Sequence, residues 1–173
     1  MVGLPIPSTW VKVIDAEETD MGINVPGELC IKGPQVTQGY WNLPELEKTL
    51  FTSDGYLKTG DIAQIDEKGY VKLLDRKKDM ILVSGFNVYP NELDDVLSAH
   101  AKISEAAVIG VADDVMGQAV KAFVVKSDES LTVDEIKDYC RENLTGYKRP
   151  KYIEFIAELP KSNVGKVLRK ELK

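Results

Sequence analysis

Asp75-Arg76-Lys77-Lys78-Asp79-Met80-Ile81-Leu82-Val83-Ser84-Gly85 is the stretch on which the fold of this 173-residue chain turns. Its first five residues are all charged and have no apolar face to bury, so they read as a joint that stays in water. The apolar run behind them, closed by Ser84-Gly85, reads as a strand entering a turn. The patterning differs on the two sides. Upstream, glycine and proline punctuate short strand-like runs at 27–32, 60–65 and 70–75, with Asp66-Glu-Lys-Gly69 as a hairpin connection. A short helix is expected over 44–50, and the whole predicts a small antiparallel β subdomain over 1–77.

Downstream, 80–85 and 87–89 read as strands around a turn. Asn91 is placed to cap a helix with Leu93, Val96, Leu97 and His100 on one face. Buried strands follow at 105–111 and 119–126. Thr132-Val-Asp-Glu135 has the form of a capping box, and Val133, Ile136, Cys140 and Leu144 continue the apolar face of a second helix. A strand over 151–156 and a helical turn over 167–172 complete a compact α+β domain over 78–173, a small sheet flanked by helices. The fold class is α+β throughout.

Charge and composition narrow the function. A net charge of −6, from 22 basic and 28 acidic side chains, argues against general affinity for nucleic acid. Cys30 and Cys140 lie in apolar segments as buried thiols, and neither a disulfide framework nor a zinc or other metal-ligand pattern is available. The apolar stretch 106–112 is far shorter than the roughly 20 residues a spanning helix needs. No signal peptide is visible, so the chain reads as cytoplasmic, with peripheral contact at the inner face of a membrane left open. Trp10, Tyr40 and Trp41 read as packing or turn anchors, and His100, which has no triad partner, as a packed or end-of-helix residue. Neither G-x-x-x-x-G-K-[ST] nor G-x-G-x-x-G occurs, so a nucleotide site would be incomplete in this chain. Lys166 nevertheless stands on a glycine-containing loop, where a lysine delivers a mobile, compact cation to a phosphate or carboxylate.

Six segments, Gly27-Glu-Leu-Cys-Ile-Lys-Gly33, Gly39-Tyr-Trp-Asn42, Thr59-Gly-Asp61, Asp75-Arg-Lys-Lys-Asp79, Ser84-Gly-Phe-Asn-Val-Tyr-Pro-Asn-Glu92 and Pro160-Lys-Ser-Asn-Val-Gly-Lys166, closely resemble the carboxy-terminal third of acyl-adenylate-forming (AMP-binding) enzymes. They fall in that family's order, and the resemblance is nearest to bacterial long-chain fatty-acid CoA ligases. It implies the last subdomain of a large adenylating domain followed by a mobile small domain. The phosphate loop, adenine pocket and acyl tunnel belong to a missing amino-terminal domain, so the chain alone is expected to be inactive. The implied partners are ATP with Mg2+, a fatty acid and coenzyme A.

By the same resemblance Asp61 chelates the ribose hydroxyls and Arg76 reaches the same ribose. Lys78 takes the hinge position, Gly85 leaves room for the pantetheine arm, and Lys166 bridges the substrate carboxylate and the α-phosphate. Each has a plainer reading beside it: a turn aspartate, a solvated Arg-Lys-Lys loop, a tight-hairpin glycine and a solvated terminal lysine. An aryl or medium-chain acid ligase, a carrier-loading adenylation domain and a non-catalytic binding module are the alternatives.

Overall fold

The computed structural model describes residues 2–43 and 49–172, so the helix expected over 44–50 lies mostly outside the described residues. The chain forms two compact units, Met1–Lys78 and Asp79–Lys173, dividing one residue beyond the expected point.

In the first unit β1 (Trp10–Ile14), β2 (Gly27–Lys32), β3 (Leu57–Ile65) and β4 (Val71–Arg76) form an antiparallel sheet in the order β1-β2-β3-β4. Apolar residues on alternate strand positions gather Val13, Leu29, Ala63 and Val71 into one core, with Val11, Met21, Ile31 and Ile65 at its margin. The hairpin expected at Asp66–Gly69 is present. The Asp66 carboxylate accepts from the backbone N–H groups of Lys68 and Tyr70 (2.9 and 2.8 Å), and Gly69 takes φ +82°. Strand β1 was not expected. Trp10 opens it with 58% of its surface exposed, while Tyr40 (54%) and Trp41 (89%) also face solvent, so none of the three is a packing anchor. Tyr40 does anchor a turn, its carbonyl accepting from the Leu43 N–H at 3.2 Å.

The second unit runs β5 (Ile81–Val83), β6 (Phe86–Val88), α1 (Pro90–Ser98), β7 (Ile103–Asp113), β8 (Gly117–Lys126), α2 (Val133–Asn143) and β9 (Tyr152–Phe155). The sheet order is β6-β5-β8-β7, and β9 pairs with β8 in parallel, the geometry a crossover through α2 produces. Even-numbered positions of β7 and β8 (Ala106, Val108, Val120, Ala122, Val124) share a core with Leu93 and Leu97 of α1 and Ile136 and Cys140 of α2. Odd-numbered positions (Ala107, Ile109, Phe123) pack instead with Leu159, Val167 and Leu172 of the terminal segment. Both helices pack on one face of the sheet, and the other is closed by the chain end, with its 3-10 turn Arg169–Leu172.

Two details of the helices differ from expectation. Tyr89, not Asn91, is the N-cap of α1, because Pro90 fits the first helical position, where a backbone N–H is dispensable. The helix ends at Ser98, which leaves His100 beyond it. There Nδ1 of His100 accepts from the Lys102 N–H at 3.2 Å and the ring meets Tyr139 edge-on at 4.8 Å, the packed end-of-helix role expected of it. Thr132 caps α2 as expected, accepting from the Glu135 N–H at 3.2 Å, a bond worth about 1 kcal/mol. The Glu135 carboxylate pairs with Lys102 at 2.9 Å.

Candidate functional site

Asp61 lies at an irregularity in the sheet. Between paired residues Glu28 and Cys30 strand β2 advances by two, whereas β3 passes from Ile62 to Lys58, so Thr59, Gly60 and Asp61 lie opposite Leu29 alone. The surplus residues form a β-bulge, and Gly60 absorbs it at φ +72°, a conformation that disfavours any side chain. The Thr59 hydroxyl stitches the bulge by donating to the Leu29 carbonyl (2.8 Å) and accepting from the Asp61 N–H (3.1 Å). Strand β3 consequently begins at Leu57, before the glycine, and Asp61 lies within it instead of opening it. Its cross-strand partner is Arg76, whose Nε lies 3.0 Å from Oδ1 of Asp61. Carboxylate and guanidinium thus stand side by side, three-quarters buried and mostly exposed respectively, presenting acceptors next to donors.

Lys58, just before the bulge, pairs with Glu18 at 2.5 Å. That lysine, together with the Ser53 N–H, holds the Glu18 carboxyl down to about 2.

The solvated joint expected over Asp75–Asp79 is shorter than its charges suggest: Asp75 is buried and Arg76 closes β4, and Lys77–Asp79 alone is a 3-10 turn with no buried residue. Lys77 reaches back to the buried Glu28 on β2 at 2.7 Å, tying the end of β4 into the sheet. Lys78 is exposed and is the last residue of the first unit.

In the second unit Gly85 occupies the two-residue loop between β5 and β6. Ser84 (φ +49°) and Gly85 (φ +86°) are both left-handed, as a hairpin turn matched to the strand twist requires. A Cβ placed on Gly85 meets no atom within 4 Å, so its surroundings are open and only the backbone angle demands glycine. Next to it Phe86, 56% exposed, stacks on Tyr147 with ring centroids 4.7 Å apart.

Lys166 lies on a small hairpin. Lys161 and Val167 form its bridge, Ser162 N–H donates to the Lys166 carbonyl (2.8 Å), and Gly165, at φ +79°, donates to the Ser162 carbonyl (2.8 Å). The Lys166 side chain is exposed, and among the described residues no acidic group pairs with its ammonium.

Of the residues singled out by sequence, Asp61 and Arg76 meet, while Gly85 and Lys166 occupy separate loops of the second unit. Two residues escaped notice. Glu28 is an ordinary polar position of an alternating strand by sequence, and nothing local signals its burial. Arg169 falls, by sequence, in the helical turn expected over 167–172 with nothing to mark it out, yet its guanidinium bonds to the Val108 carbonyl (3.2 Å), Asn91 Oδ1 (2.7 Å) and Asp94 Oδ2 (2.8 Å). The two cysteines are inert thiols: burial pushes both up to about 11. No cluster of His, Cys, Asp or Glu among the described residues could hold a metal ion, and no described helix is long and apolar enough to cross a membrane.

Two family models match the sequence: the AMP-binding enzyme over residues 1–41 and the AMP-binding enzyme C-terminal domain over residues 92–166. A long-chain-fatty-acid–CoA ligase of Yersinia pestis is 57% identical over 99% of the chain, and one of Escherichia coli O6:H1 is 54% identical over the same share. The chain spans about 30% of the length of these curated relatives. Among solved structures, ATP-bound MatB from Rhodopseudomonas palustris superimposes with a TM-score of 0.90 at 36% identity, covering 98% of this chain and 34% of that one.

Proposed function

The chain belongs to the AMP-binding enzyme family, and we propose that it forms the carboxy-terminal part of an ATP-dependent long-chain fatty-acid CoA ligase. One observation carries this reading: a chain 57% identical over nearly all its length to such a ligase holds Asp61 ion-paired with Arg76 and a Lys166 ammonium with no acidic partner among the described residues. In the first half-reaction a fatty-acid carboxylate oxygen attacks the α-phosphorus of ATP. The bond to the bridging oxygen breaks, and pyrophosphate leaves with its electron pair. In the second, the sulfur of coenzyme A attacks the acyl carbon and AMP departs.

Asp61 accepts from the ribose hydroxyls through its two carboxylate oxygens, and Arg76 closes on the same ribose. Lys166 lies between two anions that repel as they approach, and its fixed positive charge lowers that repulsion most where charge is concentrated in the transition state. Mg2+ would arrive with the nucleotide phosphates and neutralise the departing pyrophosphate. Lys78 is the hinge about which the small domain reorients between the two halves, and Gly85 leaves the passage for the pantetheine arm.

Pyrophosphate exchange with a panel of fatty acids tests the reading, on the parent protein and on this chain in parallel. The parent is expected to exchange and prefer long chains; the 173-residue chain alone is expected not to. Lys166→Ala in the parent should slow exchange by about 10²-fold or more, the cost of losing one electrostatic stabiliser. Thioester formation from supplied acyl-adenylate should continue. Undiminished exchange by that variant would refute the role of Lys166, and a preference for aryl or medium-chain acids would reassign the substrate.

A further inference from the structure

The hairpin that carries Lys166 fixes its own shape but not its place on the unit. Its internal bonds, from Ser162 and Gly165, leave the tip at Asn163, Val164 and Gly165 exposed. Placement must come from the flanks. Before the turn, Lys161 pairs with Glu105, but both side chains are well exposed, and pairs of that kind contribute little. Beyond it, Val167 and Leu172 lie on the sheet, and Leu168 N–H donates to the Pro160 carbonyl at 2.8 Å.

Arg169 is the polar anchor of a different order. Three residues past Lys166, its side chain is 15% exposed and its guanidinium touches three acceptors on two elements: Asn91 and Asp94 of α1 and the Val108 carbonyl of β7. Asp94, itself 19% exposed, spends its other oxygen on the Val108 N–H at 2.8 Å. Strand β7 is the edge of its sheet, so Asp94 and Arg169 together occupy the donor and acceptor that a further strand would otherwise take. The side chain leading away from Lys166 is thereby locked to a helix and a strand at once.

We propose that Arg169 is a positioning residue for Lys166: by clamping the chain at Asn91, Asp94 and Val108 it sets where the ammonium can reach. The proposal rests on the role of Lys166 given above. The fork geometry of arginine matters here, because a lysine supplies the charge without the planar set of donors. Misplacing a reacting group by about 1 Å can cost up to 10²-fold in rate.

The test is made in the parent enzyme with Arg169→Met, Arg169→Lys, Lys166→Ala and the Arg169→Met/Lys166→Ala double variant. Pyrophosphate exchange and thioester formation from supplied acyl-adenylate are both measured. Arg169→Met is expected to lower kcat for exchange about tenfold with the KM for ATP unchanged, and to leave the thioester step at parental rate. Arg169→Lys should fall between. In the Lys166→Ala background the same change should cost nothing further, since the group being positioned is gone. Equal loss in both half-reactions, or a full multiplicative loss in the double variant, would overturn the proposal. Full exchange by Lys166→Ala alone would instead overturn the reading of Lys166. Asp94→Asn keeps an acceptor for the Val108 N–H while removing the charge facing Arg169, so it carries the same test should Arg169→Met not fold.

Discussion

Asp61 and Lys166 stand on backbones of opposite construction, although a glycine at positive φ supports each, Gly60 at +72° and Gly165 at +79°. Asp61 lies inside a nine-residue strand, paired on both sides and in contact with Arg76. Lys166 lies on an exposed hairpin with a single bridge, and its ammonium has no acidic partner among the described residues. Under the proposed roles, a binding carboxylate gains from being built into the ladder, because its ligand must meet it in one fixed orientation, and a cation set between two reacting anions gains from having no standing partner to compete with them. The difference teaches that loss of the Asp61 charge should fall on binding and damage to the bulge beneath it on stability, while damage near Lys166 should fall on rate.

That contrast can be broken at several points. After the loss expected of Lys166→Ala, the largest effect should come from Asp61→Asn in the parent enzyme. Losing charge-assisted bonds to the ribose should weaken ATP binding by about 10- to 100-fold, each such bond being worth about 1.5–3 kcal/mol. The ion pair with Arg76 is partly exposed, so the melting temperature should barely move. Isothermal titration beside a melting curve separates the two, and a large drop in melting temperature with ATP affinity intact would reverse the assignment.

A smaller effect separates the two glycines. Gly60→Ala forces a side chain into the left-handed region within a strand, at a cost of about 1–2 kcal/mol. For a unit of this size that lowers the melting transition by about 4–8 °C per kcal/mol. A Cβ at Gly60 meets nothing within 4 Å, so the strain is in the backbone alone. Gly165→Ala carries the same strain on a hairpin free to relax, and the chain's melting transition should move less. Equal shifts would show that the hairpin is as tightly built as the bulge.

The smallest is an acid dependence. Glu18, which braces Lys58 beside the bulge, is held at about 2 in the folded chain against an ordinary 4.5. A depressed carboxyl stabilises the fold at pH above its unfolded value and ceases to do so as it is protonated. The chain should therefore lose stability as pH falls from about 4.5 towards 2, and less steeply in Glu18→Gln. Denaturation midpoints across that window decide it; identical slopes would remove Glu18 from the brace.

Much of this was legible in the residues. The hairpin at Asp66–Gly69, the Thr132 cap and the buried strands β7 and β8 follow from local rules of turn chemistry, capping and apolar content. Strand β1 was missed because five residues, Trp10–Ile14, carry too little periodicity to stand out before their partner strand is known. The Asn91 cap was misassigned because Pro90 competes for the same helix start and wins on φ. Resemblance singled out Asp61, Arg76 and Lys166. Nothing local could have found Glu28 under Lys77 or Arg169 on Asp94, contacts 49 and 75 residues apart.

The sequence by itself determined which stretches form strands and helices and where the chain turns, since those depend on neighbours within a few positions. Only the tertiary structure decided that the register of β3 on β4 sets Asp61 beside Arg76, and that Arg169 ties the segment after Lys166 to a helix and a strand. The reason is register: which residue of one strand faces which of another is fixed when the core closes, and no local window contains both partners.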